Sequence, residues 1–149
     1  MSSKVNAVEN SADAQVWNRL LALHAYVENR LATALQRGHG LGLSEYRALS
    51  FLDQAQDNEL RMTVLADKVG LNQSSVTRLV GRLNAAEFTY RDPCPDDKRG
   101  MYTVLTDAGR ARYREASTTY SDTLTAAFDE AAAIDPAVAS ILATVREAR

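Results

Sequence analysis

Residues 65–83 read LADKVGLNQSSVTRLVGRL. The stretch falls into two short pieces of helical patterning with a glycine between them. Leu65, Ala66 and Val69 share one face of a first helix, read from Val64 to Val69 with Thr63 as its N-cap. Gly70 supplies the sharp turn. Asn72 or Gln73 caps a second helix that runs to about Ala86, and Leu71, Val76, Leu79, Val80 and Leu83 hold it on a core. Gln73, Ser74, Ser75, Thr77, Arg78 and Arg82 are left facing outward, mainly from the N-terminal half. Small polar residues at a helix start can approach a nucleic-acid backbone closely. Gln and Arg can each make paired hydrogen bonds to base edges in the major groove. The pattern is that of a helix-turn-helix with a recognition helix. An ordinary helical hairpin with a polar face has the same apolar spacing, so this stretch alone leaves both readings open.

The flanks narrow the choice. Downstream, FTYRD (88–92) and MYTVLT (101–106) each have strand character. Between them, RDPCPDDKRG (91–100) is polar, carries two prolines and makes a hairpin tip. A helix-turn-helix followed by a basic-tipped hairpin is a winged helix. Upstream, Ser44 suits an N-cap, Glu45 lies in the first turn, and Tyr46, Leu49 and Leu52 form one helix face. Met62 is placed in a very short strand. Thr106 and Asp107 cap a further helix carrying Tyr113, Ala116, Tyr120, Leu124 and Phe128. Asp135-Pro136 starts another, with Val138, Ile141, Leu142 and Val145 on its apolar face.

The N-terminal residues 1–12 are polar and read as a loose segment. From Asp13, apolar residues at Val16, Trp17, Leu20, Leu21, Val27, Leu31 and Leu35, with His24 among them, describe a long amphipathic helix ending before Gly38-His39-Gly40. The terminal helices are more apolar than a monomer needs, and such stripes are usually buried against a partner. Residues 13–37 and 107–149 therefore read as a helical dimerisation region around a DNA-binding lobe at 44–106. The fold class expected is mainly α: a winged helix-turn-helix with a small β-hairpin wing and terminal helical arms.

Composition sets outer bounds. At 149 residues, 46% hydrophobic and 24% charged, the chain fits one soluble domain, or one domain plus a dimerisation arm. The start, MSSKVNAVENSADAQ, has no apolar signal region, no run approaches a membrane span, and a cytoplasmic location is the default. The net charge of −2 hides an asymmetry. Residues 61–114 hold ten Lys/Arg against six Asp/Glu, a net of +4, while the rest hold seven against thirteen, a net of −6. A basic middle between acidic flanks points to a polyanion contact in the middle.

With these pieces in place, the chain resembles the MarR family of winged helix-turn-helix transcriptional regulators over roughly residues 13–149. The matching stretches are GLGLSEYRALSFL (40–52), LRMTVLADKVGLNQSSVTRLVGRLNA (60–85), DPCPDDKRG (92–100) and VLTDAG (104–109). The family's wing signature is Asp-x-Arg, then Ser or Gly, a strand, and Leu-Thr-x-x-Gly. Here it reads Asp97-Lys98-Arg99-Gly100, then Leu105-Thr106-Asp107-Ala108-Gly109. The resemblance implies that Arg99 enters a minor groove, that Asp97 orients it and that Lys98 meets a phosphate, which agrees with the attraction of Arg to narrow grooves. It also implies a homodimeric repressor on a near-palindromic operator, with recognition helices about one DNA turn (~10 bp) apart. The family's small phenolic or aromatic effectors bind between arms and lobe, and Trp17, His24, Tyr46 and Tyr113 are the wall candidates here, although helical core packing explains each equally well. One departure stands out. After the recognition helix the family usually has Gly, and this chain has Glu87.

Other chemistry finds little footing. Cys94 is the single cysteine. Arg91, Lys98 and Arg99 would lower its pKa and Asp92, Asp96 and Asp97 would raise it, so redox sensing and simple filler both stay open. His24 reads as a core or pocket residue and His39 as part of the glycine turn; without a carboxylate pair they suggest no metal site. No nucleophile–base pair suggests an enzyme, and no cofactor is implied. The rival from another class is a winged helix that docks protein and has no DNA role.

Overall fold

The computed structural model describes residues 11–93 and 101–148. Among the described residues, six helices and three strands follow in order: α1 (Ala12–His39), α2 (Leu43–Gln54), β1 (Glu59–Arg61), α3 (Met62–Val69), α4 (Gln73–Ala85), β2 (Thr89–Pro93), β3 (Met101–Leu105), α5 (Asp107–Ile134) and α6 (Pro136–Glu147). A 3₁₀ turn at Gln56–Asn58 joins α2 to β1. The strands form one antiparallel sheet in the order β1-β3-β2. The architecture is mainly helical with a small sheet, the winged-helix arrangement expected from the sequence.

The chain divides into two compact units: residues 34–120, and the stretches up to residue 33 and from 121 onward. The first unit, the lobe, has a continuous core. Leu35, Leu41, Leu49, Leu52, Leu65, Val76, Leu79, Val80, Leu83, Leu105 and Ala116 are buried together in it. They come from five helices, one strand and the turn at Leu41, so removing any one element would open the core. Packing a helix this way uses the i, i+3, i+4 repeat: on α4, Val76, Leu79, Val80 and Leu83 are buried while the residues between them stay out. The second unit, the arms, buries Val27, Leu31, Ala127, Val138 and Leu142. It leaves Trp17, Ile134 and Val145 exposed at 60%, 78% and 66%, with Val16, Leu20, Leu21 and Ile141 also on the surface.

Local chemistry fixes the element ends, in several places not where the residue pattern put them. Ser11 accepts from the Ala14 N–H, so α1 starts one residue before Asp13 and runs two residues past Arg37. Gly42, not Ser44, is the N-cap of α2: Glu45, three positions on, turns back to accept the Gly42 N–H at 3.1 Å. The short strand ends at Arg61, which also caps α3, so Met62 and Thr63 are helical and neither forms the strand or the cap expected of them. Gly70 takes φ +77° to close α3, and Asn72 caps α4 through the Ser75 N–H. Asp135 accepts from Ala137 N–H with Pro136 at N1 of α6, as its residue pair suggested.

Candidate nucleic-acid interface

The outward residues of α4 sort into two groups. Gln73, Ser74, Thr77, Arg78 and Arg82 are exposed and Ser75 is half-buried. Three of them are engaged within the lobe. Ser74 donates to Asn72 Oδ1 at 3.0 Å, Thr77 Oγ1 donates to the Gln73 carbonyl at 2.8 Å, and Arg82 Nε donates to Glu45 Oε1 at 3.1 Å. Among the described residues, the side chains of Gln73, Ser75 and Arg78 make no hydrogen bond or ion pair. The helix presents these polar groups from a backbone held by four buried apolar side chains, so it is a rigid platform rather than a loop. Its capped N-terminus adds the positive end of the helix dipole.

The wing root is built from Leu83, Glu87, Phe88, Thr106 and Gly109. The Glu87 N–H donates to the Asn84 carbonyl and the Phe88 N–H to the Leu83 carbonyl, both at 3.0 Å. This pair of bonds is a Schellman closure, whose turning residue adopts the left-handed conformation. Glu87 is that residue, with φ +62°. The sequence departure therefore sits where glycine is favoured, and the turn forms anyway. The Thr106 hydroxyl donates to the Glu87 carbonyl at 2.7 Å and accepts the Gly109 N–H at 3.0 Å, capping α5 as expected. A Cβ on Gly109 would lie 2.1 Å from the Phe88 carbonyl oxygen, which explains why the Leu-Thr-x-x-Gly signature ends in glycine. From this root β2 and β3 run out in register, Thr89 opposite Leu105 and Pro93 opposite Met101. The tip residues Cys94, Asp97, Lys98 and Arg99 lie outside the described residues.

A second network secures the other side of the sheet. Arg110 Nε donates to Asp53 at 3.1 Å, and its Nη2 donates to Asn58 Oδ1. Asn58, at φ +55°, in turn donates to the Leu52 and Asp53 carbonyls that end α2. No single residue pattern flags this set, because Arg110 stands 52 and 57 positions from its two partners.

Of the four wall candidates, folding brings two together. Tyr46 on α2 packs on Tyr113 of α5 at 5.3 Å between ring centroids. It also stacks on Tyr120 at 4.5 Å, a residue not among the candidates although it follows Tyr113 by seven positions on the same helix. Burial, followed by the neighbouring Tyr113 and Tyr120, raises the pKa of Tyr46, which stays protonated. Trp17 and His24 belong to the arms. His24, read as core or pocket, is exposed in the chain and lies 3.9 Å from Glu28. The other histidine, His39, is held in the lobe by Thr119 Oγ1 at 2.7 Å, and its carbonyl accepts from Arg112 at 2.7 Å. In the arms, Glu130 accepts from the Tyr26 hydroxyl and pairs with Arg30 at 2.8 Å. These contacts, Tyr26 first, hold its carboxyl below the usual range. Among the described residues, no cluster of His, Cys, Asp or Glu is placed to hold a metal, and no helix is long and apolar enough to cross a membrane.

Comparison with known proteins bears on this geometry. A model described as the MarR family matches residues 39–100. An HTH-type transcriptional repressor, YetL of Bacillus subtilis (strain 168), is 31% identical over 78 residues. That match takes in 52% of this chain and 47% of YetL, about half of each. Among solved structures, Sco3205 of Streptomyces coelicolor, a MarR family transcriptional regulator in complex with DNA, superposes with a TM-score of 0.75 at 28% identity, covering 93% of this chain and 89% of that one. AbsC, a MarR family regulator of the same organism, shares the fold at a TM-score of 0.74 and 23% identity, over 92% and 97% of the two chains.

Proposed function

We propose that this chain, similar to the MarR family over residues 39–100 and to a DNA-bound MarR family structure over 93% of its length, is a DNA-binding transcriptional regulator of that family that acts as a homodimeric repressor. The observation that carries the reading is the recognition helix. Its core face is closed by Val76, Leu79, Val80 and Leu83, while Gln73, Thr77 and Arg78 are displayed to solvent from its first turns. Gln73, Ser74, Ser75, Thr77 and Arg78 are assigned to the major groove, where the first residues of such a helix meet base edges. Asp97, Lys98 and Arg99 keep their assignment to the wing. The exposed apolar residues of the arms support a second copy of the chain as the partner. The DNA-bound relative and the repressor named above support the class of activity.

Control by a small aromatic or phenolic anion completes the proposal. The family resemblance supports it, and Tyr46 and Tyr113, two of the candidate wall residues, are in ring contact.

Enrichment from a random-sequence duplex pool tests the core of this reading. The wild-type protein is expected to select a near-palindromic site. On that duplex Arg78→Ala is expected to lose about 1–3 kcal/mol of binding and to relax the base preference. A protein that enriches no sequence, or an Arg78→Ala variant that binds as wild type, overturns the assignment. A protein-docking winged helix would give the first outcome.

A further inference from the structure

Arg78 and Arg82 stand one helical turn apart on the same stripe of α4, and both are exposed. Their surroundings differ. Arg78 has no ion pair among the described residues. Arg82 is tied through Nε to Glu45 Oε1 at 3.1 Å, and the other oxygen of that carboxylate accepts the Gly42 N–H at 3.1 Å. Glu45 is only 21% exposed, so its position is set by α2 and not by solvent. One carboxylate thus joins the N-cap of α2 to the third turn of the recognition helix.

We propose that Arg82 is a positioning residue rather than a DNA contact: Glu45 and Arg82 together fix the tilt at which α4 is offered to DNA. This rests on the DNA-binding reading above and departs from the sequence expectation, which groups Arg82 with the groove-facing residues. Three physical points carry it. The pair spans two helices whose crossing determines the aim of α4, and it adds a directional bond to the apolar packing between them. Arg82 lies nine residues beyond Gln73, roughly 14 Å along the axis at 1.5 Å per residue, away from the end that such helices insert. Its charge is already matched by a carboxylate, so a phosphate would meet a nearly neutral pair and release few counterions on binding. The Gly42 end of the bridge adjoins the turn His39–Gly42, where Gly40 takes φ +60° and Arg112 grips the His39 carbonyl. The aim of α4 is therefore referred to the point where α1 gives way to α2.

The test uses the duplex that wild-type protein selects from the random pool, with affinity measured across a salt series for the full-length chain. Glu45→Gln keeps the side-chain volume and an acceptor for Gly42 while removing the charge that holds Arg82. Arg82→Gln removes the other partner, and Arg78→Ala serves as the internal reference. Arg82→Gln and Glu45→Gln are each expected to weaken binding about 3- to 10-fold with the salt slope unchanged. The double variant is expected to be no weaker than either single one, since both remove the same bond. Arg78→Ala is expected to reduce the salt slope by about one. The proposal is overturned if Arg82→Gln lowers the slope as Arg78→Ala does. It is equally overturned if Glu45→Gln leaves affinity unchanged or strengthens it, as release of a phosphate-seeking Arg82 would do. Thermal melts of each variant separate lost aim from lost fold, and losses that track a lowered melting temperature also overturn it. If the wild type selects no duplex, the DNA reading itself fails, a result distinct from any of these.

Discussion

The lobe and the arms solve the same packing problem in opposite ways. In the lobe, ten of the largest described side chains are essentially solvent-free, and eight of them belong to its five helices. Val64, Tyr90 and Met101 are its only large apolar residues on the surface among those described. The arms are two long helical stretches and a short one, yet seven large apolar residues remain exposed on them. The lobe has enough elements sharing one core to close on itself. Helices laid side by side bury only one stripe each, and the opposite stripe needs another surface. The difference teaches where stability and assembly reside: substitutions in the lobe should register as folding energy, and those on the arms as association.

The largest expected effect tests that division directly. Leu79→Ala removes a side chain with no exposed surface and is expected to destabilise the lobe by about 2–5 kcal/mol in urea unfolding. Leu21→Glu alters a residue that is 45% exposed in the single chain. It is expected to change the intrinsic stability of the lobe by less than about 0.5 kcal/mol, as most surface substitutions do, while moving the sedimenting species from dimer to monomer. If Leu21→Glu leaves a dimer intact, the arms do not form the interface and the contrast between the two units collapses.

Gly109→Ala should come next in size, because it probes how tightly the lobe is closed at the wing root. The added carbon would sit 2.1 Å from the Phe88 carbonyl oxygen and 2.9 Å from Leu105. The first neighbour is backbone, so the strand entry must shift to admit it. Overpacking of this kind is expected to lose about 1–3 kcal/mol by thermal or urea melting. An unperturbed melt would mean that β2 leaves α4 along a looser path than the one described.

The same contrast explains what could be read from the residues. The lobe was legible because its helices repeat at 3.6 and its strands at 2, and because punctuation is local: Gly70, Asn72 and Thr106 act within a few positions, as Asp135-Pro136 does in the arms. Errors arose where two cap candidates stood close together. Ser44 looked like the better cap for α2, but Glu45 can reach back only to Gly42, and that bond decides the register. The ion pair that sets Arg82 apart from Arg78 was equally out of sight, because Glu45 is 37 residues away. The Asp53–Arg110–Asn58 set was invisible for the same reason. His24 was read as inward-facing from helical spacing, which identifies a stripe but not whether anything in the same chain covers it.

The smallest expected effect concerns the one residue that the lobe holds in an unfavourable backbone region at the end of its recognition helix. Glu87 has φ +62°, where an L-residue is disfavoured by about 1–2 kcal/mol relative to the right-handed region. Two hydrogen bonds to α4 and the Thr106 hydroxyl on its carbonyl over-determine that conformation. Glycine would adopt it without the Cβ clash but would give up more freedom on folding, so the two terms partly cancel. Glu87→Gly is therefore expected to raise lobe stability by about 0.5–1 kcal/mol, read as a higher urea midpoint at unchanged m-value. Because the bonds that set the turn are backbone bonds, the variant should keep the wing's approach and bind the selected duplex as tightly as wild type. A loss of stability would mean that the Glu87 side chain contributes something the turn geometry does not contain. A gain in stability together with weaker DNA binding would place the strain at Glu87 in the service of the wing, and the closed lobe would no longer be a rigid platform at its functional edge.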